Sequence, residues 1–245
     1  MPPIQIAAEK LFFVSGFPVT NTLIASWLVI GLLLTLGMIL TKSVALVPGY
    51  AQNIFEIFVE GFLGIMAGIF GSREKAEQYF PLIATIFLFI LVSNWSGILP
   101  GVGSLGFFEQ HGEERIFVPL LRSAASDLNV TLALATITVF LIHVSAVVSL
   151  GLRSHLGKFF SLKGPIEFFV GILEFISEFA RIISFSFRLF GNIFAGEVLL
   201  VVTGLLVPYL VPVPFLALEL FVGFIQALVF AMLTMVFMSI AVAHH

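Results

Sequence analysis

The sequence predicts an all-α polytopic membrane protein, and three observations support that prediction. Of its 245 residues, 60% are hydrophobic and 10% are charged, whereas an average soluble domain is about 45–50% apolar and about 25% charged. Long uncharged stretches separate the charged residues, and a helix needs about 20 apolar residues to cross a bilayer. The 29 phenylalanines far outnumber the three tyrosines and two tryptophans, which suits a surface in contact with lipid tails.

The composition also excludes several classes of function. The formal net charge of −3 is too small to indicate nucleic-acid binding. The chain has no cysteine, so disulfides, thiolate zinc sites and cysteine catalysis are excluded. No basic segment precedes the first apolar run, and we therefore expect no cleaved signal peptide.

We expect one membrane-embedded domain over residues 1–245, built from about three spanning helices, one amphipathic surface helix and a C-terminal helix hairpin. Glu56 and Glu60 share one face of Asn53–Phe70, which indicates a helix lying on the membrane surface. The two C-terminal helices are too long for a perpendicular crossing at about 1.5 Å per residue, so we expect them to be strongly tilted. The parts are an N-terminal span in 1–49, the surface helix and its loop in 50–79, two spans in 80–152 and the ion-translocating hairpin in 165–243.

Basic residues predict the orientation in the membrane. Six of them fall in the two loops that share one side, namely Lys42, Arg73, Lys75, Arg153, Lys158 and Lys163. Lys10, Arg115 and Arg122 fall on the opposite side, among several carboxylates. The excess of basic residues marks the cytoplasmic side, so we expect the N-terminus outside and the C-terminus in the cytoplasm.

Two glycine motifs are not interpreted as nucleotide sites. The run Gly101–Gly106 fits a dinucleotide-binding pattern, but it follows a spanning helix instead of a strand. The segment Gly151–Lys158 has neither the spacing nor the following Ser or Thr of a phosphate-binding loop. We therefore expect no cofactor.

The histidines do not predict a metal site, because His111, His143 and His155 are scattered and lack metal-ligand spacing. His143 lies within a span, where a packed, hydrogen-bonded ring is favoured over a role in a proton relay. His244 and His245 are either native or the remnant of a tag.

The helix after Pro165 carries a polar stripe. At 100° per residue, a band about 120° wide contains Glu167, Glu174, Glu178, Arg181, Ser184, Arg188 and Asn192. An arginine at the bilayer centre costs at least ~2.5–3.5 kcal/mol on the insertion scale, so such residues usually mark a pathway or a partner. For Arg181 and Glu178, a structural ion pair is the favoured interpretation. Arg188 has no carboxylate within one turn. It either pairs with Glu174, Glu178 or another carboxylate to hold helices together, or, as we favour, finds its counter-charge on another segment or another chain.

The last helix can be aligned with this polar stripe by position number. In an antiparallel hairpin with a turn near Pro208, the position numbers of facing residues have a constant sum. One register places Glu197 opposite Glu219, Arg188 opposite Gln226 and Asn192 opposite Gly223. The hairpin is thus predicted to have an outer carboxylate pair, a central arginine and an inner group of Glu174 and Glu178.

These residues resemble a known family. The run Ser184–Glu197 closely resembles the signature of subunit a of rotary, F-type ATP synthases, and Gln226–Thr234 resembles the terminal helix of that subunit. Asp127–Thr131 and Ser93–Pro100 fit its middle region. The resemblance covers roughly residues 50–243.

The resemblance implies a stator subunit beside a ring of c subunits, with two offset half-channels for protons. It implies no catalysis by this chain alone, only membership of a proton-transporting two-sector complex. The implied partners are the c-ring, the b subunits of the peripheral stalk and the lipid bilayer, without nucleic acid. A bacterial plasma membrane is favoured over the mitochondrial inner membrane.

Site residues follow from the matched positions. Arg188 resembles the essential arginine, Asn192 and Gln226 its polar neighbours, and Glu197 the outer-channel carboxylate. Glu174 and Ser184 match positions on the inner side. Glu219 stands where many members have a histidine.

Two facing carboxylates cannot both ionise cheaply at low dielectric, so Glu197 and Glu219 are expected to share one proton. The alternative is that Glu219 faces a water-filled vestibule and only makes it negative. Two other functions stay open at this stage: a stand-alone secondary transporter, against which the absence of an internal repeat counts, and a structural subunit of a respiratory complex. The sequence does not distinguish H⁺ from Na⁺.

Overall fold

The computed structural model describes residues 8–42, 45, 48–99, 102, 105–111, 114–159, 164–207 and 211–243. Several positions used in the sequence predictions lie outside these ranges: Pro100, Gly101, Gly103, Ser104, Lys163, Pro208, His244 and His245. The side chains of His111, Arg115 and Lys158 are not described either.

Helices make up most of the described chain. In order they are α1 Asn21–Lys42, α2 Tyr50–Phe70, α3 Arg73–Ser96, α4 Leu128–Leu150, α5 Leu152–Phe159, α6 Pro165–Leu206 and α7 Pro212–Val242. Six of them, all but α5, are long and apolar enough to cross a membrane. The protein is therefore an all-α polytopic integral membrane protein, as predicted. Because α2 meets the same criterion, its expected position on the membrane surface stays a prediction.

Local signals set several helix boundaries. The Ser72 hydroxyl accepts a hydrogen bond from the backbone N–H of Lys75 at the start of α3, and Asp127 caps α4 in the same way. Pro165 occupies the first turn of α6, where its missing N–H costs nothing. Gly71 ends α2 in the left-handed region, with φ of 71°.

Two antiparallel β-hairpins were not predicted. The first pairs β1, Lys10–Val14, with β2, Phe17–Thr20, and the second pairs β3, Gly106–His111, with β4, Glu114–Pro119. Ser15 and Gly16 have φ of 49° and 87°, the positive values that a two-residue hairpin turn requires. The Ser-Gly dipeptide between two short apolar runs was the signal available in the sequence.

The buried core lies where α3, α4, α6 and α7 meet. Ile83 and Ile90 of α3 and Met235 of α7 are almost completely buried. Many large apolar side chains on the outside of the bundle stay exposed, as expected for a surface solvated by lipid. Packing therefore joins the helices at the centre while leaving an apolar perimeter.

Contacts between loops and helix ends define two ends of the bundle. At one end, Asn94 Nδ2 donates to the carbonyl of Gly223 at 2.8 Å, and Trp95 Nε1 donates to the carbonyl of Leu220 at 3.0 Å. At the other, the hydroxyls of Tyr79 and Ser149 are 3.1 Å apart. We call these the outer end and the inner end, following the predicted orientation.

The long hairpin of α6 and α7 has the predicted register. Phe185 stacks on Phe230 with ring centroids 4.7 Å apart, and a Cβ added to Gly196 would lie 3.0 Å from Glu219 Oε1. Both contacts fall within one residue of the pairing expected from the sequence. Glu197 and Glu219 are thereby placed at the outer end, and Glu174 and Glu178 toward the inner end.

Candidate functional site

Arg188 lies on the exposed surface of α6. Its Nη2 donates a hydrogen bond to Ser184 Oγ at 3.1 Å. Among the residues that the structure describes, no carboxylate lies within ion-pair distance of this guanidinium. The interpretation in which Arg188 pairs with Glu174 or Glu178 is therefore wrong.

The surface around Arg188 is apolar and uncovered. Phe187 and Ile183 are each 55% exposed, whereas Phe185 and Leu189, on the opposite face of α6, are 2% and 3% exposed. The helix is thus packed against the protein on one side only. Its other side presents Arg188 on an apolar surface.

At the outer end, Glu197 binds Arg122. Arg122 Nε lies 3.0 Å from Glu197 Oε1, and Nη2 lies 3.1 Å from Oε2. The arginine side chain is only 6% exposed and the glutamate side chain 35%. Sequence reasoning treated Arg122 only as a basic residue of the outer side, and nothing local to it signals this long-range pair.

Glu219 lies beside this pair and is buried. Its Oε2 has no hydrogen-bond partner in the described part of the chain. Together with Arg122 and Glu197, it lines a cavity of about 300 Å³ at the outer end. The two carboxylates of the predicted pair thus line one cavity, and Arg122 supplies a positive charge to Glu197. The sharing of one proton between them stays a prediction.

The polar cluster at the outer end extends to the N-terminal segment. Asn21 Nδ2 donates to Glu9 Oε2 at 2.8 Å, and Thr22 Oγ1 donates to Asp127 Oδ2 at 2.8 Å. Burial raises the pKa of Glu9 above its ordinary value; the positive charge of Arg122 and the Asn21 hydrogen bond oppose the shift, and the negative charge of Glu197 adds to it. Sequence reasoning did not select Glu9.

Toward the inner end, Arg181 pairs with Glu178 as predicted. Arg181 Nη1 lies 2.7 Å from Glu178 Oε2 and 2.9 Å from Oε1. The guanidinium carbon of Arg181 lies 3.9 Å from the centroid of the Phe237 ring on α7, a cation–π contact. This arginine is therefore held by two partners, in contrast to Arg188.

Two of the histidines come together here. His143 Nδ1 and His155 Nε2 are 3.1 Å apart, and His143 Nε2 lies 3.4 Å from Glu178 Oε2. The interpretation that these histidines are scattered is wrong, because α5 folds back against α4 and α6. His143 is hydrogen-bonded, as the favoured interpretation expected. All three residues line a cavity of about 460 Å³.

The remaining predicted site residues lie along the same two helices. Glu174 is half-buried, one turn before Glu178 on α6, and Asn192 is exposed, one turn beyond Arg188. Gln226 is half-buried on α7. The hydrogen bonds described for Arg188 involve neither amide. In the ranges given above, no three His, Asp or Glu side chains are arranged to hold a metal ion.

The fold and site define a class: a polytopic helical membrane protein with a long helix hairpin that carries an exposed arginine and two cavities along its length. Residues 23–239 match the family described as ATP synthase A chain. The chain belongs to this family.

Three relatives with high coverage are each named ATP synthase subunit a. The protein of Moorella thermoacetica is 31% identical over 241 residues, covering 98% of this chain and 99% of the relative. That of Syntrophobacter fumaroxidans is 36% identical, covering 89% and 83%, and that of Geotalea uraniireducens is 36% identical, covering 87% and 84%. The family resemblance inferred from the sequence is confirmed.

Proposed function

We propose that this chain is the stator subunit of the proton-translocating sector of an ATP synthase, forming two offset half-channels against a rotating ring of c subunits. The observation that carries the proposal is the position of Arg188. It is exposed on α6, it has no carboxylate partner among the described residues, and it lines neither the outer nor the inner cavity.

The spacing along α6 supports two separate paths. Glu197 is nine residues beyond Arg188 and Glu178 is ten residues before it, which correspond to about 13.5 Å and about 15 Å along the helix. A charge at membrane depth is costly without a partner. A carboxylate on the neighbouring ring is the partner that the exposed surface around Arg188 can receive.

In the proposed cycle, a proton enters at the outer end past Glu197 and Glu219 and neutralises a carboxylate of a c subunit. The ring turns, and the proton leaves toward the inner end past Ser184 and Glu174. Arg188 attracts each ionised carboxylate that arrives and prevents direct passage between the two paths. The amides of Asn192 and Gln226 are its polar neighbours.

This chain carries no catalysis by itself in the proposal; ATP is made or hydrolysed in the other sector of the complex. The b subunits of the peripheral stalk hold it still while the ring turns. The complex lies in a bacterial plasma membrane, with the inner end of the bundle at the cytoplasmic face. Co-purification of the chain with a c-ring in mild detergent tests this assembly.

Arg188→Ala tests the translocation role in the whole complex, reconstituted into liposomes. ATP-driven proton pumping should be abolished, while passive proton leak through the membrane sector is allowed. Lys42→Ala is the control, because Lys42 is an exposed basic residue at the end of α1, outside the α6–α7 hairpin. Pumping by Arg188→Ala at the rate of the Lys42→Ala control would overturn the proposal.

A further inference from the structure

Three side chains from three helices form a continuous chain toward the inner end. His143 of α4 is the centre, since its Nδ1 lies 3.1 Å from His155 Nε2 of α5 and its Nε2 lies 3.4 Å from Glu178 Oε2 of α6. Each ring nitrogen of His143 therefore faces a polar neighbour: Nδ1 faces His155, and Nε2 faces Glu178. A neutral imidazole donates from one nitrogen and accepts at the other, which is the requirement for passing a proton through.

The chain of side chains borders open space. The cavity of about 460 Å³ is bounded by His143, His155 and Glu178 on its polar side and by aromatic rings such as Phe159 and Phe175 elsewhere. Most of its lining is apolar, so the polar side chains at its edge are the groups that can hold water there. His155 itself is buried, so a path through it stays within the protein.

Glu178 connects this chain to the surface that bears Arg188. Its carboxylate is bound by Arg181 at 2.7 Å, and Arg181 lies two turns before Arg188 on the same helix. The order along the bundle is thus Arg188, Arg181, Glu178, His143 and His155. This order leads from the exposed surface around Arg188 to the short helix α5 at the inner end.

We propose that Glu178, His143 and His155 form the proton relay of the inner half-channel. This inference rests on the proposed function and deepens it by naming the residues of the inner path beyond Ser184 and Glu174. The Glu178 carboxylate takes up a proton that comes from the c-ring and passes it to His143 Nε2 as the Nδ1 proton of His143 moves to His155 Nε2. His155 then releases its Nδ1 proton to water at the inner end, and both imidazole rings return to their starting tautomers before the next transfer. No other bond forms or breaks, and the reverse sequence serves ATP-driven pumping.

Charged and titratable side chains near His143 lie mainly on two of the helices around it. On α6 they are Glu178 and Arg181, with Glu174 one turn away; on α5 they are His155 and the exposed Arg153. The α7 helix contributes the Phe237 ring, and its single ionisable residue, Glu219, lies at the outer end. The α3 helix contributes Tyr79, which bonds to Ser149 two turns further along α4.

The first test measures ATP-driven pumping by the reconstituted complex while the pH on the inner side is varied from about 5.5 to about 8, a range that spans the usual imidazole pKa of about 6.5. His143→Gln keeps a hydrogen-bonding side chain but removes the imidazole that can accept and donate a proton. We expect pumping to fall by about tenfold, with loss of the dependence on inner pH. Phe159→Leu is the matched control, because Phe159 packs on both histidine rings, with centroids 6.1 and 5.5 Å away. That control should keep the pH profile.

The second test is chemical rescue. His143→Ala enlarges the cavity and leaves space for free imidazole supplied on the inner side. Imidazole should restore most of the lost pumping in His143→Ala and leave Phe159→Leu unchanged. A role in packing alone predicts no rescue.

The outcomes separate this inference from the proposed function. Normal pumping by Arg188→Ala would defeat both. Abolished pumping by Arg188→Ala, together with an unchanged inner-pH profile in His143→Gln and no imidazole rescue in His143→Ala, would overturn the relay alone.

Discussion

Arg122 binds Glu197 through two nitrogens, with Nε 3.0 Å from Oε1 and Nη2 3.1 Å from Oε2, across 75 positions of sequence. The arginine precedes α4, and the glutamate is near the outer end of α6. Fork-like arginine–carboxylate pairs fix the direction of both side chains. The carboxylate that the family resemblance places in the outer half-channel is thus held by a buried cation.

Arg122→Gln is expected to lower the amount of assembled complex in membranes. Breaking a fully buried ion pair costs about 3–5 kcal/mol, and the loss here should be smaller because a third of the Glu197 side chain is exposed. Quantifying this chain in purified membranes measures the effect.

The double variant Arg122→Met/Glu197→Met separates assembly from transport. With both charges removed, no uncompensated ion is buried, so assembly should recover toward the wild-type amount. Proton pumping should stay low because the outer carboxylate is gone. Wild-type abundance of Arg122→Gln by itself would contradict a structural role for the pair.

Much of the architecture could be predicted because it depends on local pattern. Apolar stretches located the helices, and the constant-sum rule gave a register that agrees within one residue with the approach of Gly196 to Glu219 and the stacking of Phe185 on Phe230. The lack of a carboxylate within one turn of Arg188 also distinguished it from the Glu178–Arg181 pair. Each of these inferences uses one helix or one hairpin.

The contacts that were missed join distant segments. Arg122 reaches Glu197 from a loop of irregular backbone, and His155 reaches His143 only because Gly151 reverses the chain, with φ of 84°. Glu9 belongs to the outer cluster through Asn21. Sequence periodicity does not predict such long-range contacts, because they depend on how whole helices pack against each other.

Gly196→Ala is expected to slow proton transport severalfold without loss of assembly. The added Cβ would lie 3.0 Å from Glu219 Oε1 and 3.1 Å from its Cδ, so the glutamate side chain must shift by a few tenths of an ångström from its present position. Gly204→Ala is the control on the same helix, because nothing lies within 4 Å of a Cβ at that position. Equal pumping rates in the two variants would show that the position of Glu219 does not matter.

Glu9→Gln is expected to change the pH dependence of stability. Burial raises the pKa of Glu9, so the folded protein binds that proton more tightly than the unfolded chain does. The resulting stabilisation is present below the ordinary value of 4.5 and is lost as the pH rises through the raised value. The melting temperature of the variant minus that of wild type should therefore increase as the pH is raised from about 4.5 to about 7.

Lys10→Gln serves as the control for this experiment, because Lys10 is the neighbouring residue and is exposed. Its melting temperature relative to wild type should be the same at both pH values. A difference for Glu9→Gln that stays constant or decreases with pH would contradict the assignment.

Glu219→Gln is expected to slow proton uptake and to move the dependence of ATP synthesis on the outer pH. Arg122 compensates Glu197, whereas Glu219 Oε2 has no partner among the described residues and borders the same cavity. Glu219 is therefore the carboxyl group placed to exchange a proton with that cavity. Glutamine keeps the shape of the glutamate side chain but has no carboxyl group to gain or lose a proton. Glu219→His should retain transport, since imidazole also accepts and donates a proton. Synthesis rates at several outer pH values and salt concentrations check this. If the residue only makes the cavity negative, Glu219→Gln will leave the pH profile unchanged and cause a modest loss that depends on salt.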